Sequence, residues 1–128
     1  MKTDSLTLIP ETEYGVPSGN YDGSSETSFS GDRQKGVGYY KRSGSTQTVR
    51  FQTDEFVGTI TIQGSLDSDP TADSEWFDIY TFPNDSTPDG STAITTDFST
   101  TLTGNFVWIR ATAASFTGGT IDSVTLTY

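Results

Sequence analysis

The chain has 128 residues, of which only 31% are hydrophobic, and 17 acidic residues against 7 basic ones give a formal net charge of −10. This charge argues against binding to nucleic acid, which requires concentrated positive charge, and equally against binding to anionic membrane surfaces. The chain contains neither cysteine nor histidine, which excludes disulfides, thiolate metal sites and Ser-His-Asp or Cys-His catalysis.

The length fits one domain with a single core. Thr and Ser are abundant, and no window has the apolar i, i+3, i+4, i+7 spacing of an amphipathic helix, so strands are favoured over helices. No stretch approaches the roughly 20 apolar residues of a membrane span, and the first residues lack the apolar core of a signal peptide. We expect a soluble protein made in a cytoplasm.

Residues 1–34 are predicted to form an extended N-terminal arm. The segment SLTLIP offers one short strand, in which Leu6 and Leu8 alternate with Thr7. The remainder is rich in Gly, Ser, Asp and Glu and contains several turn signals. It nevertheless keeps three spaced aromatic residues: Tyr14, Tyr21 and Phe29. These favour an arm that docks on its own domain or on a neighbouring copy over a disordered tail.

Residues 35–128 are predicted to form the β-sandwich domain, beginning with a short strand over KGVGYYKR. In the next strand, TQTVRFQT, Val49 and Phe51 share one face, and Asp54-Glu55 is predicted to turn the chain. The segment VGTITIQGSL then alternates with a period of two, which indicates a strand with one buried side. Its apolar face is predicted to consist of Ile60, Ile62 and Leu66.

An acidic loop, DSDPTADSE, separates this strand from the aromatic-rich strand EWFDIYTF. Its region contains five acids close enough in sequence to meet: Asp67, Asp69, Asp73, Glu75 and Asp78. The spacing lacks the EF-hand pattern for Ca²⁺, and a small domain has little room for the sugar-sized cleft of a glycosidase. We interpret the acids as a solvated loop and predict no catalytic residue, no metal and no cofactor.

The C-terminal part supplies the remaining strands. STAITTDFSTTLTG places Ile94, Phe98 and Leu102 on one parity. FVWIRATA is the most apolar strand, and large residues on both of its faces predict that both are covered. One face is expected to pack on the core, and the other to be covered by the N-terminal arm or by a neighbouring subunit. TIDSVTLTY ends the chain within a strand. The similar segments FVGTI and FTGGTI each place an aromatic residue and glycine before a β-branched run, which indicates a tight corner where the chain crosses between sheets.

The basic residues are unevenly distributed, since five of the seven lie between residues 33 and 50: Arg33, Lys35, Lys41, Arg42 and Arg50. This cluster either balances acids of its own molecule or docks on the acidic loops of a neighbouring copy, because complementary patches fix the register of an assembly. Together with Tyr14, Tyr21, Phe29 and Trp108, these are the predicted partner-contact residues.

In total the chain is predicted to be an all-β, single-domain antiparallel β-sandwich, jelly-roll-like, with about eight strands and the N-terminal arm. The run YDGSS…GDRQKGVGYYKR, QTVRF, FVGTITIQGSLDSDP, EWFDIY, GNFVWIRA and FTGGTIDSVTLTY resembles small virion structural proteins of tailed bacteriophages, especially those of cyanobacteria and other aquatic bacteria. The resemblance covers nearly all of the chain from Tyr21. More distantly, ITIQGSLDSD, EWFDI and FVWIRA resemble strands of galactose-binding-like jelly rolls.

The first resemblance implies a non-enzymatic virion component, either a capsid decoration (cement) protein or a part of the neck, tail or fibres. Its expected partners are other virion proteins, such as the major capsid protein, and further copies of itself, with a trimer suited to three-fold positions. An alternative is a carbohydrate-binding module of a phage fibre or adhesin that recognises host surface glycans. In that case Trp76 or Trp108 would be exposed to stack on sugars.

Overall fold

The structure is a computed structural model that describes residues 5–23, 28–40, 46–72, 75–82 and 93–127. Within these residues the chain is built from antiparallel strands, which confirms the all-β prediction. The strands are β1 Ser5–Ile9, β2 Thr12–Glu13, β3 Phe29–Ser30, β4 Gln34–Lys35, β5 Thr46–Ser65, β6 Phe77–Phe82, β7 Ile94–Thr103 and β8 Trp108–Thr127. The helices of this part of the chain include none long and apolar enough to cross a membrane.

Two strands of 20 residues, β5 and β8, form the centre of the fold. They pair with each other from Thr48 opposite Thr127 to Ser65 opposite Trp108. The first half of β5 also pairs with β7, and its second half pairs with β6. The first half of β8 pairs with β3 and β4, and its second half with β1 and β2.

The position of two phenylalanine rings shows that this long ribbon folds back on itself. Phe82 lies opposite Ile60, nine positions along β5 from Phe51, so a straight strand would separate the two by about 30 Å. Their ring centroids are instead 4.7 Å apart and nearly parallel. The two halves of β5 therefore face each other across the core, in different layers.

The fold-back occurs at the two corners predicted from FVGTI and FTGGTI. Glu55 and Ser115 have positive φ angles of 58° and 53°, and the pairing of β5 with β8 shifts register between Asp54 and Val57. Such irregularities bend a strand and increase its twist. Asp54-Glu55 was predicted to be a turn between strands, and this is wrong, since the ladder continues through the bend as one strand.

The result is a sandwich of two four-stranded layers. One contains β1 with β2, the second half of β8, the first half of β5, and β7; the other contains β3 with β4, the first half of β8, the second half of β5, and β6. Eight strands that are arranged in this order in two packed layers form a jelly roll. The inner surfaces are aromatic-rich, with Phe51, Phe56, Phe82 and Phe116 buried between the layers.

The N-terminal arm packs on its own chain. Tyr21 and Phe29 are buried and lie 5.3 Å and 6.2 Å, centroid to centroid, from the Phe116 ring. The backbone of the arm forms four short strands that pair with β8 on the side opposite β5. The sequence left two docking partners open for the arm, its own domain or a neighbouring copy. The structure shows the arm docked on its own domain. The predicted boundary after residue 34 falls within β4, and residues on both sides of it pair with β8.

Two local predictions are wrong. KGVGYYKR was expected to be a strand, but Val37–Tyr40 form a 3-10 helix, because the Val37 N–H donates to the buried Gln47 side chain and the Tyr39 N–H to the carbonyl of Gly36. Leu66 was placed on the buried face, but it is 65% exposed. The chain leaves the sheet there, since the hydroxyl of Ser65 accepts the Asp67 N–H and turns the backbone.

Candidate functional site

The strongest cluster of charged and aromatic side chains lies at the start of β8. We call it the cation–aromatic face and define it as Arg33, Lys35, Tyr39, Trp76, Trp108 and Arg110. The strand alternation of β8 directs Ile109 into the core and therefore directs Trp108 and Arg110 to the opposite side. The acidic loop after β5 folds over this side and partly covers it. The outer face of this strand is therefore partly covered, and most of its cover is the acidic loop, which is neither of the two covers predicted.

Arg33 joins the loop to the strand. Its guanidinium lies 4.3 Å from the centroid of the Trp108 ring, and its Nη2 donates to Asp69 at 2.9 Å. Trp108 in turn donates its indole N–H to the carbonyl of Ser68 at 2.9 Å. Both groups therefore hold the same loop, and the cation stacks on the indole ring.

The pattern of cation against ring is repeated on both sides of this pair. The Tyr39 ring meets Trp108 edge to face at 5.3 Å, and the Lys35 ammonium lies 4.6 Å from the Tyr39 centroid. Arg110 lies 4.4 Å from the centroid of Trp76 and donates to Gln63 at 2.8 Å. The aromatic rings of this face therefore serve as supports for cations.

A cleft of about 280 Å³ opens between Arg33, Arg110, Trp76 and the loop residues Asp69 and Thr71. Its volume lies just below the range of about 300–1,000 Å³ that is typical of small-molecule sites. Trp76 is only 9% exposed, and the Arg110 guanidinium lies over its ring. A planar sugar face would thus have to displace Arg110 before it could stack on Trp76.

The acids of the loop have structural partners. The Glu75 carboxylate accepts the backbone N–H groups of Ala72 and Thr71 at 3.0 Å and 3.2 Å, and chiefly the bond from Ala72 lowers the pKa of Glu75. A hydrogen bond with Glu75 raises the pKa of Asp67. Asp78 accepts from the Gln63 amide. Asp73 lies outside the described residues, among which there is no group of three or more acids placed to hold a metal ion.

The structure divides the predicted partner-contact residues into several groups. Tyr21 and Phe29 are buried in the core. Tyr14 is exposed but packs its ring edge to face on Phe116. Arg33, Lys35 and Trp108 lie together on the cation–aromatic face. The remaining residues are not part of that cluster: Arg50 lies on β5, and Lys41 and Arg42 lie outside the described residues.

Arg50 forms a two-pronged ion pair with Asp97 of β7, in which Nε donates at 2.7 Å to one carboxylate oxygen and Nη2 donates to the other. Arg33 is paired with Asp69. Two members of the basic cluster thus contact acids of their own molecule. This agrees with the interpretation that the cluster balances acids of the same chain.

Because of this ion pair, we expect the stability difference between the wild type and a variant that lacks Arg50 to depend on pH. A hydrogen bond from Arg50 holds the pKa of Asp97 below the ordinary value, which is about 3.9 for aspartate. Because the folded pKa is the lower one, the stabilisation is complete above about pH 3.9 and is lost as the pH falls through the folded pKa. We expect Arg50→Gln to unfold at lower urea concentration than the wild type near neutrality, and the difference to vanish in strong acid. A difference that is independent of pH would contradict this assignment.

A second cleft was missed by the sequence reasoning. Its volume is about 420 Å³, and four acids line it: Glu11, Glu13, Asp54 and Asp122. They meet because β2 pairs with β8 beside the corner of β5. Their wide separation in sequence gave no signal, since only the topology brings them together. We call this site the acidic cleft.

The chain matches no protein-family model, no curated protein and no solved structure.

Proposed function

We propose that the chain is a non-enzymatic structural protein of a bacteriophage virion, in which it decorates the capsid and stabilises the particle by binding other virion proteins. The sequence motifs that resemble phage virion proteins support this role. The observation that carries it is the separation of charge on the surface, with cations held on aromatic rings at one site and acids gathered at another. Charged surfaces of this kind determine which partner binds and in which orientation, and they contribute less to the binding affinity.

The arrangement of these charges is better suited to binding other proteins than to catalysis. The described acids of the loop and the cations Arg33 and Arg110 already serve hydrogen bonds, ion pairs or ring contacts within the molecule. A rigid, pre-organised surface loses little conformational entropy when a partner binds. Repeated at equivalent positions of a shell, contacts between such surfaces would add buried area between capsomers.

Addition of the purified protein to particles that lack it tests the proposal. We expect saturable binding at a fixed number of copies per capsomer, and a higher temperature of particle disruption than for undecorated particles. Binding should weaken as salt rises, because charged surfaces are screened. Particles that bind no protein, or intact virions in which labelled protein is found only on the tail, would overturn the capsid assignment.

The alternative function, binding to host surface glycans, would use the cleft beside Trp76. The ring of Trp76 is nearly buried beneath Arg110, and Arg33 lies over one face of Trp108, so a sugar would compete with a cation for either ring. Trp108→Ala and Trp76→Ala proteins that are still folded should bind host cells and glycans as the wild type does. Loss of glycan binding in either variant would instead favour the carbohydrate-binding module.

A further inference from the structure

The two sides of strand β7 differ in their pairing. It pairs with β5 over nearly its whole length, and among the described residues no strand pairs with its other side. An edge strand of ten residues presents a row of N–H and C=O groups that can pair with another chain.

The other edges of the sandwich are shorter or divided into separate strands, whereas β7 runs for ten residues with one register shift near its start, between Ile94 and Thr96. Along β8 the edge consists of four separate strands, three of which have two residues. Strand β6 has six residues and a register shift opposite Ile62 and Gln63. Strand β7 contains no Pro or Lys, which commonly protect edges, and its acid, Asp97, is paired with Arg50.

The sequence of β7 is close to a palindrome centred on Phe98. In ITTDFSTTL three pairs at equal distance from the centre match in kind, namely Thr96 with Thr100, Thr95 with Thr101, and Ile94 with Leu102, and the fourth pairs the two polar residues Asp97 and Ser99. Two copies of this strand related by a two-fold axis at residue 98 would therefore place hydroxyl opposite hydroxyl and aliphatic opposite aliphatic. Cross-strand pairs of these kinds are stabilising, and no acid would face an acid directly.

The exposure of Phe98 points to the same axis. Its ring lies at the margin of the core, 6.2 Å from the Phe82 ring and 6.3 Å from the Tyr80 ring, yet the residue is 39% exposed. In the two-fold arrangement Phe98 of each copy lies directly opposite Phe98 of the other. The pairing would cover both rings.

We propose that two copies of the chain associate through antiparallel β7–β7 pairing about a two-fold axis at Phe98. The layers that contain β7 would then join into one continuous sheet, and the contact would be isologous, with the same surface contributed by each copy. Each copy uses its β7 edge once, so this contact closes at a dimer and differs from the three-fold arrangement suggested for a decoration protein. The inference concerns the isolated chain and does not depend on a role in a virion.

Substitutions of Ser99 test the dimer through charge. In the proposed register Ser99 lies opposite Asp97 of the second copy, so Ser99→Asp would place two acid pairs across the axis. Arg50 lies opposite Ser99 within the same chain and can donate a hydrogen bond to the new carboxylate, which protects the fold. We expect sedimentation equilibrium to show a dimer dissociation constant at least about tenfold weaker for Ser99→Asp. Ser99→Asn, which adds no charge, should resemble the wild type.

Distances between spin labels test the register. Because the chain has no cysteine, Thr95→Cys and Thr101→Cys each supply one labelling position per copy. An axis at residue 98 separates both pairs of labelled Cα atoms equally, by about 20 Å along the strands. A protein that stays monomeric at high concentration, a dimer that is indifferent to charge at residue 99, or clearly unequal distances would overturn the proposal.

Discussion

Replacement of Phe116 by alanine is expected to lower the free energy of unfolding by about 3–5 kcal/mol, as for other buried phenylalanines. The side chain is fully buried and meets four other aromatic rings: Tyr14, Tyr21, Phe29 and Phe56. Three of these belong to the N-terminal arm. The substitution should therefore also loosen the arm, with faster amide hydrogen exchange in residues 12–23 and 28–31 under native conditions.

Two further phenylalanine variants separate these effects. Phe51→Ala removes a fully buried ring that stacks on Phe82, away from the arm. It should reduce stability to a similar extent without selectively faster exchange in the arm. Phe77→Ala removes a ring that is 42% exposed, so it should cost less than about 1.5 kcal/mol. If the arm exchanges equally fast in the Phe51 and Phe116 variants, Phe116 does not anchor it.

Gly119→Ala is the second change with a large expected effect. Gly119 lies at the corner of β8 with φ = 78°, and a Cβ atom there would come within 2.0 Å of the carbonyl oxygen of Glu55. The conformation alone costs about 1–3 kcal/mol for a residue with a side chain, and the contact forces two backbones apart. We expect a total loss of at least about 3 kcal/mol of unfolding free energy, measured by urea denaturation.

The adjacent glycine provides a matched control. A Cβ atom on Gly118 would have the Val57 side chain as its nearest neighbour, at 3.5 Å, which is an ordinary contact. Gly118→Ala should therefore change the unfolding free energy by less than about 1 kcal/mol. Equal losses in the two variants would show that the close approach of the two corners does not limit stability.

Local alternation predicted much of the sandwich. Val49 and Phe51 are buried as expected, as are Ile60 and Ile62. The two corners were also predicted, because glycine beside an aromatic residue in a strand marks a bend. The continuity of β5 was not predictable, since Asp54-Glu55 has the composition of a turn. Only the pairing with β8 shows that Glu55, with its positive φ, bends the strand without ending it.

The candidate site was less accessible from sequence. Large residues on both faces around Trp108 predicted an outer face covered by the N-terminal arm or a neighbouring subunit, but the acidic loop covers part of it. Arg33 and Asp69 are 36 positions apart, and their ion pair exists because β4 and the acidic loop both meet the start of β8. Tyr21 and Phe29 were predicted to dock either on their own domain or on a neighbouring copy, and the structure buries both in the core of their own chain.

The long ribbon of β5 and β8 also sets how the protein reaches its native state. Even its nearest pair, Ser65 opposite Trp108, closes a loop of about 40 residues, at an entropic cost that must precede any gain from pairing. Proteins dominated by such distant contacts fold in milliseconds to seconds. We therefore expect a slow folder in which the end of the ribbon near Ser65 forms early. The pairs toward Thr48 and Thr127, which join more distant parts of the chain, would form last.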